Sequence, residues 1–507
     1  MSRFNIKTTP TKIENLAGGE AYQVTPEFEL VSILLTSFVQ DQYYKSGKET
    51  VKTLQNLVKT IKDKKFIAKA AIYARTKYGL RSVSHIVAAE LFRDRGDGKS
   101  MVAGETWPKN FIEKVVYRPD DILEILSYYM KHVQGKTRAM QLRKGIRLAL
   151  SKFDEYQLAK YRGEGKDVSL IDVVNMMRPT PSEKNKEALS KLINGLLKST
   201  ETREAKLSAT GQGKTEEQKI VAKKEAWIDL LTNKRLGYMA LLKNLRNIIK
   251  QAPEMVPEAI NQLTDETLVK KSLVLPFRYM SAIQEIEAIN DADQSSIRQT
   301  LVGLNKAVDI SMSNVPTFEG RTLVVVDHSG SMNSVEHGNM SNFQIGALFG
   351  FMLTKSNNAD FMHFGDRAEY LNFTPTDSTL SILKWLSTLN ESGWITTTSR
   401  GHNVGHGTNF HSIFTTANKA YDRIIIFSDM QAWIGYNTPK VEFSDYKKKY
   451  NVNPHLYTVD LAGNGSAQFP DNQVYALTGF SDKMFEVMKM LEVDKKALMN
   501  DIEKIEL

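Results

Sequence analysis

The stretch Leu323-Val324-Val325-Val326-Asp327-His328-Ser329-Gly330-Ser331 delivers an acid and two hydroxyls to one turn, directly after a run of apolar residues. A buried parallel strand reads as a continuous β-branched run, so Leu323 to Val326 predicts such a strand with Asp327 at its carboxyl end. Open α/β sheets bind ligands at that end. Asp-x-Ser-x-Ser supplies oxygen ligands and no soft one, which suits Mg²⁺ and similar hard cations. Short strings of this kind also arise by chance in loops, so the weight rests on two later segments. Gly405-His406-Gly407-Thr408 places a hydroxyl in a Gly-rich loop, and Ile424-Ile425-Ile426-Phe427-Ser428-Asp429 is a second buried strand ending in an acid.

The order and separation of the three segments resemble the metal-ion-dependent adhesion site of von Willebrand factor A domains. That resemblance implies that Asp327, Ser329, Ser331, Thr408 and Asp429 surround one divalent ion, Mg²⁺ first, with Mn²⁺ or Ca²⁺ as alternatives. A ligand oxygen would take the remaining position. Beyond Pro316 strand and helix alternate, with strands expected at 322–327, 360–364, 423–428, 455–460 and 473–477. Helices are expected near 341–356, 377–389, 411–421 and 481–491. This texture predicts a doubly wound, Rossmann-like α/β domain over 316–507. His402, His406 and His411 read as loop histidines rather than zinc ligands, since glycines flank the first two and no Cys accompanies them.

A chain of 507 residues exceeds what one core usually serves, so two or more domains are expected. Cysteine is absent, which excludes disulfides, thiolate metal sites and Cys nucleophiles and fits a reducing compartment. Met1 to Asn5 leads into no apolar signal region, and Val31 to Leu35 lies in a segment too short to span a bilayer. The protein is read as soluble and cytoplasmic, with no membrane partner. Charge divides the chain: residues 316–507 carry 16 Lys and Arg against 21 Asp and Glu, whereas residues 1–315 carry 51 against 37. The halves therefore have net charges of −5 and +14. A basic half points to a polyanion, because phosphates are bound largely through counterion release to Lys and Arg; a merely solvated basic surface is the plainer alternative.

From about residue 26 to 310 the pattern is one of successive amphipathic helices. Val51, Leu54, Leu57, Val58 and Ile61 mark one apolar face, and Phe66, Ile67, Ala70, Ala71 and Tyr73 begin the next. Arg81 to Arg93 follows a Gly79 stop, and Pro119 to Val133 opens with Pro and two acids, a good helix start. Short helices on short loops suggest stacked pairs of the HEAT type, without a strict period. Lys198 to Lys224 reads as a loop or solvated helix. Its Gly211-Gln212-Gly213-Lys214-Thr215 ends like a phosphate-binding loop, yet Ser208 stands where the first glycine belongs and no strand precedes it.

A basic helical array followed by an A domain resembles the TROVE family, named for telomerase, Ro and vault proteins, and most closely its Ro autoantigen branch with the bacterial relatives. The resemblance is carried by Gln40 to Tyr44, by the basic segment Arg138 to Leu150, and by Leu158 to Pro179 with Lys160-Tyr161 and a Ser169-x-x-Asp172 helix start. Ala240-Leu241-Leu242-Lys243-Asn244-Leu245-Arg246-Asn247 is the sharpest match, with Leu275-Pro276-Phe277-Arg278-Tyr279 behind it. It implies an all-α, HEAT-like helical repeat ring over 1–315, closed by the A domain. Such a ring binds small noncoding RNAs of the Y type on its basic outer surface and takes single-stranded 3′ ends of misfolded RNAs into its hole. The chain departs from the family pattern at Leu170, where relatives often carry His; Arg178 is offered in the same segment.

Read from spacing alone, Arg138, Arg143, Lys144 and Arg147 can gather charge along one helix, with Lys160, Arg162 and Lys166 close behind. Such a band suits backbone contacts, which give affinity but little sequence information. Each side chain has a solvated face as its plain alternative, whereas Leu142, Ile146 and Leu150 read as core. Lys243, Arg246 and Arg278 are candidates for an inner lining. The leading reading is a non-enzymatic, monomeric ribonucleoprotein component in noncoding-RNA quality control, with an exoribonuclease or other protein admitted as a partner. The rival is a metal-dependent protein-interaction module, such as the A-domain partner of an AAA ATPase. One oxygen-ligated ion without a paired base or second metal makes a poor hydrolytic site.

Overall fold

In the computed structural model the described residues are 11–15, 17–23, 25–36, 47–133, 139–197, 215–272, 274, 276–333, 336–337, 340–374, 378–379, 381–382, 385, 404–432, 434, 439–462, 466–469, 473–478, 484–493 and 497–507. Gln40 to Tyr44, Arg138, the glycine-rich string 211–214 and His402 lie outside them. Helices fill the chain from Pro26–Thr36 to Gln294–Ser311, and the alternating α/β texture begins with the strand Thr322–Asp327.

The helices obey their sequence patterns. Leu54, Leu57, Val58 and Ile61 are buried together, as are Phe66, Ile67, Ala70, Ala71 and Tyr73. Pro119–Tyr128 starts at its proline and continues as a π-helix over Tyr129–Val133. Ser169 and Asp172 form a reciprocal cap: the Ser169 hydroxyl accepts from Asp172 N, and Asp172 accepts from Ser169 N at 2.9 Å. Such boxes satisfy amide donors that a helix start leaves without partners. Between the helices lies a buried ionic cluster. Asp121 accepts from Arg75 Nη2 at 2.8 Å and Arg81 Nε at 3.0 Å, and from the amides of Tyr117 and Arg118 at 2.8 and 2.9 Å. Burial works against the Asp121 carboxylate, but hydrogen bonds and the charges of His85 and Arg75 win, holding its pKa well below the usual range.

The helical part has two cores. Helices from Pro26–Thr36 to Lys186–Ile193 share one that runs on into the α/β part, through Val324, Phe349, Phe427 and Phe485 to Leu498 and Ile502. Those from Glu216–Thr232 to Gln294–Ser311 bury Trp227, Leu245, Tyr279 and Leu304 in another. Both ends of the array reach the α/β part. Pro26–Thr36 packs on the strand Val474–Thr478 and Lys64–Lys77 on the helix Ala497–Glu503, while Pro276–Glu287 meets Asn342–Asn357.

The main sheet has the order Val474–Thr478, His455–Asp460, Arg423–Ser428, Thr322–Asp327, Asp360–Phe364, Ala368–Leu371. All neighbours are parallel except the last pair. Every residue of Thr322–Asp327 and Arg423–Ser428 is buried, as befits strands covered on both faces. The helix Asn342–Asn357 lies on one face with Met484–Val493; Phe410–Thr416 and Pro439–Tyr450 cover the other. The architecture is thus the expected one, helices followed by a doubly wound α/β domain. Chain order reverses between Thr322–Asp327 and its neighbour Arg423–Ser428, which makes their carboxyl ends a topological switch point.

Three features depart from expectation. Ala368–Leu371 adds an antiparallel edge, Pro439–Tyr450 is a further helix, and a hairpin of Lys12–Glu14 and Glu20–Gln23 pairs with Ser466–Ala467. Asn15 fastens this hairpin by donating from Nδ2 to the Ala432 carbonyl at 2.8 Å. At Gly19 a Cβ would come within 1.9 Å of that same oxygen, so only glycine fits. Among the described residues no helix is long and apolar enough to cross a membrane.

Candidate functional site

At the switch point the strand ends bring Asp327 and Asp429 onto adjacent turns. Asp327 Oδ1 accepts from the Ser329 amide at 2.8 Å and its Oδ2 from the Ser428 hydroxyl at 2.5 Å. The hydroxyls of Ser329 and Ser331 lie 3.3 Å apart, and Ser331 hydrogen-bonds Asp429. Asp429 Oδ1 also accepts from the Gln431 amide at 3.2 Å. The Thr408 loop is tied to this turn because Gly330 N donates to the His406 carbonyl at 3.0 Å. From the other side Asp366 accepts from Gly407 N at 2.9 Å. Asp327, Ser329, Thr408 and Asp429 are all buried, and Ser331 is partly so.

Burial, and then the charge of Asp429, pushes the Asp327 carboxyl above the usual range; burial does the same to Asp429. The hydrogen bonds from Ser428, Ser329 and Ser331 oppose this and do not overcome it. Two carboxyls and three hydroxyls around one turn, with excess negative charge, form the kind of donor set a hard divalent cation takes. Among the described residues no group of three or more His, Asp or Glu side chains is placed to hold a metal. His406 turns a carbonyl to this turn, and His411 lies 4.0 Å from Glu442. Ser428 and Asp366 were not singled out in the sequence. Ser428 could have been, as it immediately precedes Asp429 at the end of a buried run; nothing marks Asp366.

The basic residues spread over two helical regions. Leu142, Ile146 and Leu150 are core, which turns Arg143, Lys144 and Arg147 outward on Met140–Leu150. Lys144 is exposed. Arg143 Nη2 donates to the Met176 carbonyl at 3.1 Å and Arg147 Nε to that of Met177 at 2.6 Å, so both guanidiniums meet the negative end of the helix Leu170–Met177. Arg178 ends that helix with φ of 50°, its amide donating to Val174. Together Arg143, Arg147 and Arg178 line a groove of about 630 Å³ with Tyr129, Met130, Asn175 and Met176.

Other candidates lie apart. Lys160 is exposed, its Nζ 5.6 Å from the Tyr161 ring centroid. Arg162 donates to the Leu197 carbonyl at 2.8 Å and pairs with Glu164 at 3.0 Å. Lys166 lines a second cleft of about 520 Å³ with Lys131 and His132, but also with Glu124 and Asp167. Lys243 and Arg246 are exposed on Tyr238–Gln251, Arg246 pairing with Glu285 at 3.4 Å, and Arg278 is partly exposed on Pro276–Glu287. These three stand on the second helical core, away from the 143–178 groove.

A TROVE domain is matched over residues 35–222 and 197–311. The chain belongs to the TROVE family. Its C-terminal part matches the Ro60 vWA domain over residues 321–491. The fold is similar to that in the crystal structure of the Deinococcus radiodurans Ro (RSR) protein, with a TM-score of 0.63 and 16% identity. That match covers 92% of this chain and 98% of the other. Telomerase protein component 1 of Rattus norvegicus is 29% identical over 101 residues, which is 19% of this chain and 4% of that protein's length. The chain is thus a Ro-like member of that family.

Proposed function

We propose that this TROVE protein binds small noncoding RNAs of the Y type and single-stranded ends of misfolded RNAs, acting in RNA quality control without catalysing a reaction itself. The observation that carries the reading is the 143–178 groove: among the described residues three arginines line it and no carboxylate does, on a half of the chain with a net charge of +14. Phosphates are drawn to such a surface, and arginines held on carbonyls present their remaining donors without losing much side-chain freedom. Lys144, on the same helix, would widen the contact, and Arg138, Lys160, Arg162 and Lys166 would add further phosphate contacts. Lys243, Arg246 and Arg278 would serve single strands elsewhere on the array. A cytoplasmic setting and a HEAT-type ring belong to the same reading.

In the α/β part a divalent cation, Mg²⁺ first, would be held by Asp327, Ser329, Ser331, Thr408 and Asp429. Its charge would neutralise both buried carboxyls and leave an acceptor position for a ligand oxygen. The acidic surroundings of this site favour a protein ligand over RNA there, so a protein-interaction role for the domain sits beside RNA binding.

Titrating the full chain with a structured small RNA at several salt concentrations tests the main reading. Affinity should fall steeply with salt, with a log–log slope of about −0.7 to −0.9 per phosphate contact. Weak, salt-independent binding would overturn it.

A further inference from the structure

The turn that carries Asp429 is held by a part of the chain far from it in sequence. It runs Asp429-Met430-Gln431-Ala432, and two of its carbonyls accept buried side-chain donors: Gln468 Nε2 donates to Met430 O and Asn15 Nδ2 to Ala432 O, each at 2.8 Å. Both donors belong to one small sheet, since Ser466–Ala467, just before Gln468, pairs with Glu20–Gln23 of the N-terminal hairpin. Asn15 is 7% exposed and Gln468 1%. A buried side chain bonded to a main-chain carbonyl fixes the path of that backbone, because leaving the carbonyl without a partner is costly.

That path is one the turn would not keep unaided. Met430 has φ of 58°, a left-handed conformation that a residue with a side chain holds only where its surroundings over-determine it. Met430 and Ala432 are packed in one core with Phe410 and Phe469. The preceding residue, Asp429, is buried where its charge acts on Asp327. Two buried carboxylates repel each other, so a turn free to move would carry Asp429 toward water. A hard cation reverses that preference by drawing both carboxylates to one point. On its other side the hairpin leads straight into the helical array. Only Val24 and Thr25 separate Gln23 from Pro26–Thr36, the helix that packs on Val474–Thr478.

Resting on the cation site proposed above, we infer that the hairpin of Lys12–Glu14 and Glu20–Gln23 is a clasp on that site. Docked, it holds Asp429 where a cation can be bound, and a bound cation in turn fastens the hairpin and the first helix of the array behind it. Asn15 is a positioning residue that acts through the turn. Because linkage is reciprocal, whatever docking adds to cation affinity the cation adds to docking.

The test uses the full chain with Mg²⁺ and Mn²⁺ as probes. In Gly19→Ala the new Cβ would stand 1.9 Å from the Ala432 carbonyl oxygen, which lifts the hairpin off the turn without adding charge. Asn15→Asp keeps the acceptor that serves the amides of Ala17 and Gly19 and loses the donor to Ala432. Its added charge would by itself favour a cation, so weaker binding isolates the clasp. Calorimetry should show both variants binding either cation about three- to tenfold more weakly, the scale of one buried hydrogen bond. In the wild type, the amides of Asn15, Gly19 and Gln23, all hydrogen-bonded within residues 11–23, should exchange more slowly when Mg²⁺ is added. In Asp327→Asn their exchange should not respond. A purely structural hairpin would give lower melting temperatures with wild-type cation affinity in both variants, and exchange indifferent to Mg²⁺. Either result overturns the clasp and leaves the cation site standing. Absence of cation binding by the wild-type chain overturns both.

Discussion

Replacing Arg178 with glycine should separate the two roles of this residue, because the substitution relaxes the backbone while removing a charge. Arg178 has φ of 50° and ψ of 62°, a conformation that costs an L-residue about 1–2 kcal/mol. Glycine avoids that strain but gives up about 0.5–1 kcal/mol in chain entropy. The helix-ending bond from residue 178 N to Val174 O is a backbone bond and survives. Stability should therefore be unchanged or rise by up to about 1.5 kcal/mol, against the destabilisation usual for substitutions. RNA affinity should fall for all sequences alike, and the salt slope should flatten by about 0.7 to 1 for the one lost phosphate contact. Urea unfolding and RNA titrations at three salt concentrations measure both. A destabilised variant would show that the guanidinium, not the backbone, holds this corner. An unchanged slope would remove Arg178 from the interface.

Asp327→Asn removes one of the two buried carboxyls at the candidate cation site. Because the folded pKa of Asp327 lies above its unfolded value, the metal-free wild type should lose stability as pH rises from the ordinary carboxylate range through the folded pKa. The variant should melt higher there in chelator and show no upward shift with Mg²⁺; a shift equal to wild type would remove Asp327 from the cation site. Asp121 is the opposite case. Its folded pKa is depressed, so its contribution is present above the ordinary carboxylate range and is lost only as pH falls through the lower folded value. Asp121→Asn, which leaves Arg75 buried with a weakened partner, should destabilise the protein by about 3–5 kcal/mol at neutral pH. Near-wild-type denaturation midpoints would show that the other carboxylates of the cluster compensate.

The central strands were legible because burial on both faces leaves no polar alternation to interpret: 323–326 and 424–427 are apolar throughout. Their terminal acids followed directly. Ala368–Leu371 escaped because its only buried residue is Leu371. Pro439–Tyr450 escaped because lysines crowd it and only Pro439, Phe443 and Tyr446 are buried along it. The hairpin at residues 12–23 depends on pairing with Ser466–Ala467, a contact no local pattern announces. For the basic residues, spacing placed Arg143 and Arg147 on one outward face. It could not tell that they and Arg162 donate to main-chain carbonyls. The π-helix that opens the groove has no sequence signature either.

The core shared by the first helices and the last has a temporal side. Lys69 donates to the Glu503 carbonyl across 434 residues of chain, and Leu30, Leu34, Phe66 and Ile67 belong to the same core as Leu498 and Ile502. At translation rates of about 5–20 residues per second, the early helices wait roughly 20 to 90 seconds for those partners. Throughout that interval an apolar surface made at the start of synthesis faces solvent or a chaperone. Helices in the Glu216–Ser311 region, whose core is their own, can finish first. The chain therefore matures from its middle, and a substitution in Lys64–Lys77 should depress the yield of newly made protein more than it depresses the stability of protein already folded.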